Sequence, residues 1–279
     1  MSNLLNRKGS TSTSVLQSSI ITAIVAVGAT AIAIYSFLQS PDLFGDFWLE
    51  VSKGSYAGHT IMSKFGQNDD IGTGAYEDIW DLGGDYPYPA DGTAPITHID
   101  CDDAADTEPI EVQGLDITGA LVVQTKTSTG TTPVALDTAL WRVFRLKNEG
   151  TADFVSACQA INAGDTVDYS QMQIGNNQTL RALYTIPLGK TGYLIQGSNN
   201  IIGTNRAYSV SGRLEMRKYG KVFQLKKTFG LSTDGTSFFI LPQPLPGVIP
   251  ARTDIKISAI SSAAGGGINT TFEILLIDD

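Results

Sequence analysis

The sequence predicts a mainly β protein, a jelly-roll-like antiparallel β-sandwich preceded by one long N-terminal α-helix. Three observations carry this. The apolar pattern changes after Pro41 from a nearly unbroken run to two-residue alternation, as in Arg213-Leu-Glu-Met-Arg217. Charged residues are 17% of the 279-residue chain while glycine numbers 29, a turn-rich composition. Turn sequences recur at short intervals, among them Ser128-Thr-Gly-Thr131, Lys147-Asn-Glu-Gly150 and Ser232-Thr-Asp-Gly235.

Residues 1–41 form the first segment. No charged side chain lies between Gly9 and Pro41, and the run from 20 to 38 is almost wholly apolar. At about 1.5 Å rise per residue such a helix reaches about 28 Å, close to the hydrocarbon thickness of a bilayer. The expected anchor residues are Ile20, Ile21, Ile24, Val25, Val27, Ile32, Ile34, Phe37 and Leu38. Arg7 and Lys8 precede the run while Asp42, Asp46 and Glu50 follow it, which would put the rest of the chain on the far side of the membrane from the cytoplasm. Two other readings stay open. A cleaved signal peptide could end at Ala31-Ile32-Ala33, and the small residues Ala23, Ala26, Gly28 and Ala29 would suit a helix packed in an oligomer core.

Residues 42–118 form an acidic, loop-rich segment expected to add edge strands. It carries 17 Asp and Glu against Lys53 and Lys64 alone. Residues 119–279 are expected to form the sandwich core. From residue 121 onward 15 Lys and Arg stand against 11 acids, so the chain is electrically polarised within a net charge of −9. That acidity argues against direct nucleic-acid binding, which needs a basic surface. It suits docking of an acidic patch onto a basic one between copies.

Strands are expected at 120–127, 139–146, 181–186, 192–196, 213–217, 222–229, 236–241, 254–260 and 271–277. The segment 241–250 holds four prolines and is expected to be an extended connection at an edge.

The blocks Tyr76-Glu-Asp-Ile-Trp-Asp81 with Gly83-Gly-Asp-Tyr-Pro87, Val112-Gln-Gly-Leu-Asp116, and Leu183-Tyr-Thr-Ile-Pro-Leu-Gly-Lys-Thr191 together resemble predicted virion structural proteins of marine bacteriophages. The resemblance covers roughly residues 60–230 and implies a capsid or capsid-associated β protein located in the virion. Its partners would be copies of itself and other virion proteins. The apolar N-terminal run departs from that family and adds the expectation of a lipid membrane partner. A cellular surface protein, such as a pilus subunit or a membrane-anchored carbohydrate-binding sandwich, is the alternative.

No catalytic pattern is legible, and neither an enzymatic activity nor a cofactor is expected. His59 and His98 are the two histidines, each without a neighbouring nucleophile motif. Gly189-Lys190-Thr191 lacks the upstream glycine of a phosphate loop, since position 184 is Tyr. Asp100, Asp102, Asp103 and Asp106, with Glu108, could offer oxygens to Ca²⁺, but without the central glycine of an EF-hand a solvated acidic loop is the simpler reading. Cys101 and Cys158 fit either two thiols or one disulfide. Trp48, Trp80, Tyr86 and Tyr88 are the aromatic candidates for contacts between subunits, while Trp141, on an expected strand, reads as core.

Overall fold

The structure, a computed structural model, describes residues 45–202, 207–242 and 247–279. The expected membrane helix and its anchor residues lie outside the described residues. The helix that is described, α1 (Gly45–Ser52), has eight residues and is not the long helix expected upstream. Among the described residues no helix is long and apolar enough to cross a membrane. Gly54, at φ +77°, closes α1 by taking the left-handed conformation that glycine tolerates best.

From His59 onward the chain is antiparallel β-structure. In order the strands are β1 (His59–Ile71), β2 (Glu77–Asp78), β3 (Ile96–Cys101), β4 (Pro109–Leu115), β5 (Leu121–Thr127), β6 (Val134–Leu140), β7 (Arg142–Asn148), β8 (Cys158–Ile161) and β9 (Asp168–Met172). There follow β10 (Leu183–Thr185), β11 (Lys190–Ile202), β12 (Ser209–Arg217), β13 (Gln224–Ser232), β14 (Phe238–Pro242), β15 (Val248–Ile249), β16 (Asp254–Ser261) and β17 (Gly266–Asp278).

These strands build two sandwiches. In the first, one sheet runs β1-β17-β11-β14 and the other β10-β16-β12-β13, with β2 also paired to β16. The ladder pairs β1 with β17, β2 and β10 with β16, β11 with β14, and β12 with β13 nest as successive rungs of one antiparallel ribbon wound on itself, which is the topology of a jelly roll. Both sheets face a shared core that includes Tyr184, Val210, Leu214, Ile257, Phe272 and Ile274. Burying side chains of this size stabilises by about 1.5–3 kcal/mol each.

The second sandwich packs a sheet in the order β6-β3-β8-β9 against β5-β4-β7. Its separate core holds Ile99, Ile110, Val112, Leu146, Cys158 and Met172. It is inserted into a single strand of the jelly roll. Asp78 of β2 sits opposite Ser258 and Leu183 of β10 opposite Lys256, so both fragments line the same edge of β16. Between them, Ile79 N donates to Ile257 O at 3.0 Å and Ile257 N donates to Ala182 O at 3.3 Å. One strand position is thus shared by two residues, and Ala182 N closes the splice by donating to Ile79 O at 2.9 Å.

The division expected at 118/119 is therefore not where the sheets divide. Of the strands before that point, β1 and β2 lie at edges, whereas β3 and β4 are interior and pair with strands after it. The expected strand over 139–146 is broken at Trp141, because β6 belongs to one sheet of the second sandwich and β7 to the other. In the proline-rich segment, β14 ends at Pro242 and β15 is a two-residue strand on β11.

Candidate functional site: the junction and two surface features

Where the sandwiches meet, Leu115, Trp141 and Phe144 of the inserted one join the jelly-roll core, and buried charged side chains sit beside them. Arg142, first residue of β7, is 2% exposed and grips Asp254 of β16, also 2% exposed, with two parallel bonds: Nε to Oδ1 at 2.9 Å and Nη2 to Oδ2 at 3.0 Å. Asp254 also accepts from Arg217 Nε at 2.9 Å and Thr185 Oγ1 at 2.6 Å, while Arg142 Nη1 donates to Pro89 O at 2.9 Å. A buried charge pair of this kind is tolerable only because its bonding capacity is filled. The Arg142 guanidinium lies 4.0 Å from the Trp141 ring centre, and Tyr88 sits between Arg142 and Arg217, 5.2 Å and 4.9 Å from them.

A second group flanks the splice. Lys64 of β1 is buried and donates to Phe144 O of β7 at 2.7 Å; burial, followed by repulsion from Arg181 and Arg145, holds its ammonium well below the usual lysine range. Asp78 pairs with Lys256 at 2.7 Å and accepts from Tyr86 N, and burial raises its carboxyl above the usual value. Arg181 donates to Tyr169 O at 2.9 Å and covers the Tyr86 ring at 4.7 Å.

Three of the four aromatic interface candidates belong to this interior. Trp80, Tyr86 and Leu183 form a small core with Tyr88 packed on it; Trp80 and Tyr86 meet at 5.1 Å and Tyr86 and Tyr88 at 4.6 Å, both edge-to-face. Trp80 is 3% exposed, so it cannot serve a contact between subunits. The surrounding Asp, Gly and Pro residues read as an open loop in sequence, but Asp78 pairs with Lys256 of β16, and Asp91 and Pro89 O meet Arg142 of β7. Trp48 on α1 remains exposed, at 40%. Trp141 is fully buried.

Beside the junction a polar cleft of about 680 Å³ is lined by residues including Gln67, Asn68, Glu77, Asp81, Gln173 and Asn176. Its carboxylates are largely occupied: Glu77 accepts from Asn68 Nδ2, Gly72 N and Gly84 N. Asp81 Oδ1 accepts from Leu180 N, while buried Oδ2 has no hydrogen-bond partner, and burial pushes the carboxyl up to about 6. Since the folded state holds this proton more tightly than the ordinary value of 3.8 allows, Asp81 costs stability as pH rises from about 4 to about 6 and the full cost persists above. Asp81→Asn keeps the bond from Leu180. Its melting temperature should match the parent near pH 4 and exceed it near pH 7; a constant offset across that range would contradict the assignment.

The four calcium candidates do not converge. Asp102 accepts from Gln159 Nε2, Asp103 caps its own turn through Ala105 N, and buried Asp106 accepts from Val155 N at 2.7 Å and Ser156 N at 3.0 Å. Asp100 lies instead near Asp165, Asp168 and Asp102; burial first, then these three charges, push it up to about 6. Among the described residues the one tight grouping of ligand-type atoms is Cys101, Asp106 and Cys158. Its two sulfurs are joined to each other as a disulfide, which settles the alternative left open by the sequence.

Cys101 and Cys158 face each other directly across β3 and β8, 57 residues apart in the chain. Spacing alone could not reveal this, because the pairing depends on β8, a strand with no polar alternation. Replacing both by serine should lower stability by about 2–4 kcal/mol, read as a denaturation midpoint that falls to the level of the chemically reduced parent.

His59 Nδ1 lies 3.0 Å from Ala57 O and His98 Nδ1 2.9 Å from Thr97 Oγ1, both local contacts.

The class these features define is an antiparallel β protein of two sandwiches, one a jelly roll and the other inserted in it. No protein family matches the sequence, and no curated protein does. Among solved structures, the infectious bursal disease virus VP2 subviral particle is similar at 9% identity over 79% of this chain and 72% of that one, with a TM-score of 0.23. The Gt strain of the same virus is similar at 11% identity over 79% and 77%, with a TM-score of 0.20. Likeness at these scores assigns nothing to this chain.

Proposed function

We propose that the chain is a structural protein of a virus particle, capsid or capsid-associated, that acts by packing against copies of itself and carries out no catalytic step. Residues 20–38 anchor it to lipid in this reading. The observation that carries the proposal is the Arg142–Asp254 pair, which ties the two sandwiches together through a buried, doubly bonded contact. The blocks that resemble marine phage virion proteins support the same reading; one of them, 76–81, contains Ile79 and another, 183–191, follows Ala182 directly.

The test compares the full chain with a version lacking residues 1–41, each mixed with lipid vesicles and examined by electron microscopy and flotation. The full chain should form regular lipid-bearing assemblies, and the shortened one should stay folded but fail to float. Equal incorporation of both would remove the anchor, and a strictly monomeric full chain at every concentration would remove the assembly role.

A further inference from the structure

On the jelly roll a groove of about 460 Å³ opens between the residues from Met216 to Lys226 and those from Val248 to Thr253. Its lining includes Lys218, Lys221 and Lys226 and no carboxylate. None of the three lysines takes part in an ion pair among the described residues; Lys226 Nζ donates to Gln224 Oε1. Between the cations stand Val222, 76% exposed, and Val248, 65% exposed. Open apolar side chains that share a groove with three cations suit a partner carrying the opposite charge.

The inserted sandwich carries the complementary surface. Asp100 of β3 and Asp168 of β9 lie on the strands either side of β8, Asp165 lies in the turn joining β8 to β9, Asp102 accepts from Gln159 of β8, and none of them pairs with a Lys or Arg among the described residues. Asp102 and Asp165 are exposed. Burial first and then repulsion from its three neighbours raise Asp100, and a cation brought from outside would relieve the repulsion.

We infer that the groove of Lys218, Lys221, Lys226, Val222 and Val248 receives the Asp100–Asp102–Asp165–Asp168 surface of a second copy of this chain. The contact is head-to-tail: each copy offers a groove to one neighbour and an acidic face to another, so it propagates into a ring or lattice rather than stopping at a pair. It rests on the assembly reading above and names the surface that reading requires. The apolar centre supplies contact area, and the charges set register and partner choice.

The test uses the full chain in mild detergent, followed by sedimentation velocity. Self-association should be strong near about 0.05 M salt and fall off towards about 0.5 M, as screening shortens the reach of the charges. Two triple variants are made, K218E/K221E/K226E and D102K/D165K/D168K. Each alone should associate about tenfold or more weakly than the parent while keeping its melting temperature. Mixed together they should associate again, because each groove then meets a face of opposite sign. Parent-like association of either variant, or a mixture of two folded variants that stays dispersed, overturns the assignment and leaves the assembly reading standing. A parent chain that never associates overturns both.

Discussion

Asp254→Ala is expected to unfold the protein at ordinary temperature or bring it close to that point. The substitution leaves Arg142, which is 2% exposed, with only the longer 3.5 Å carboxylate contact to Asp91, and takes the acceptor from Arg217 and Thr185 in the same stroke. Removing one partner of a buried pair typically costs about 3–5 kcal/mol, against a total stability of about 5–15 kcal/mol. Arg142→Met should cost less than Asp254→Ala, because Arg217 still neutralises the aspartate. The double variant should be more stable than the sum of the two losses predicts, since the Arg142 charge that Asp254→Ala strands in the interior is then gone as well. Urea denaturation of the four proteins checks this, and strict additivity would mean that the two residues do not act as a unit.

Gly66→Ala is expected to be of similar severity for a different reason. A Cβ at position 66 would lie 2.4 Å from Ala182 N and 2.9 Å from both Ile79 O and the Arg181 carbonyl carbon. All three are main-chain atoms of the splice, so no side-chain rotation can relieve the clash. Relief requires β1 to move away from residues 79 and 182, which opens the bond between them. Soluble yield and amide exchange at Ala182 report this directly: the yield should collapse, or residue 182 should lose protection while the core of the second sandwich, around Ile110 and Val112, keeps it. Full protection at 182 in a well-behaved variant would show that the close approach is not needed.

Much of the jelly roll was legible because its strands expose one face. Arg213 to Arg217 alternates charge with Leu214 and Met216, and β12 lies there. The second sandwich was largely hidden. Cys158-Gln-Ala-Ile161 is buried at every position, so it lacks the alternation that marks a strand, and β3 and β4 sit in a stretch whose Asp and Pro content reads as loop. The inward face of β1 carries Lys64, Gly66 and Asn68, polar or small residues that a core-facing strand is not expected to present. They make sense only once the junction is seen, where a lysine caps a carbonyl and a glycine admits a backbone. The aromatic run Trp80, Tyr86 and Tyr88 was legible as important but not as interior, since the arginines that enclose it come from positions 142, 181 and 217. The disulfide needed the register of β3 on β8, which no spacing encodes.

Because the chain departs at Ile79 and returns at Ala182 through neighbouring hydrogen bonds, the intervening hundred or so residues form a cassette. Exchanging it for another compact module leaves the main-chain rungs at Ile79 and Ala182 in place, provided the replacement again supplies a guanidinium for Asp254, an acceptor for Lys64 and the apolar side chains that Leu115, Trp141 and Phe144 bring to the jelly-roll core.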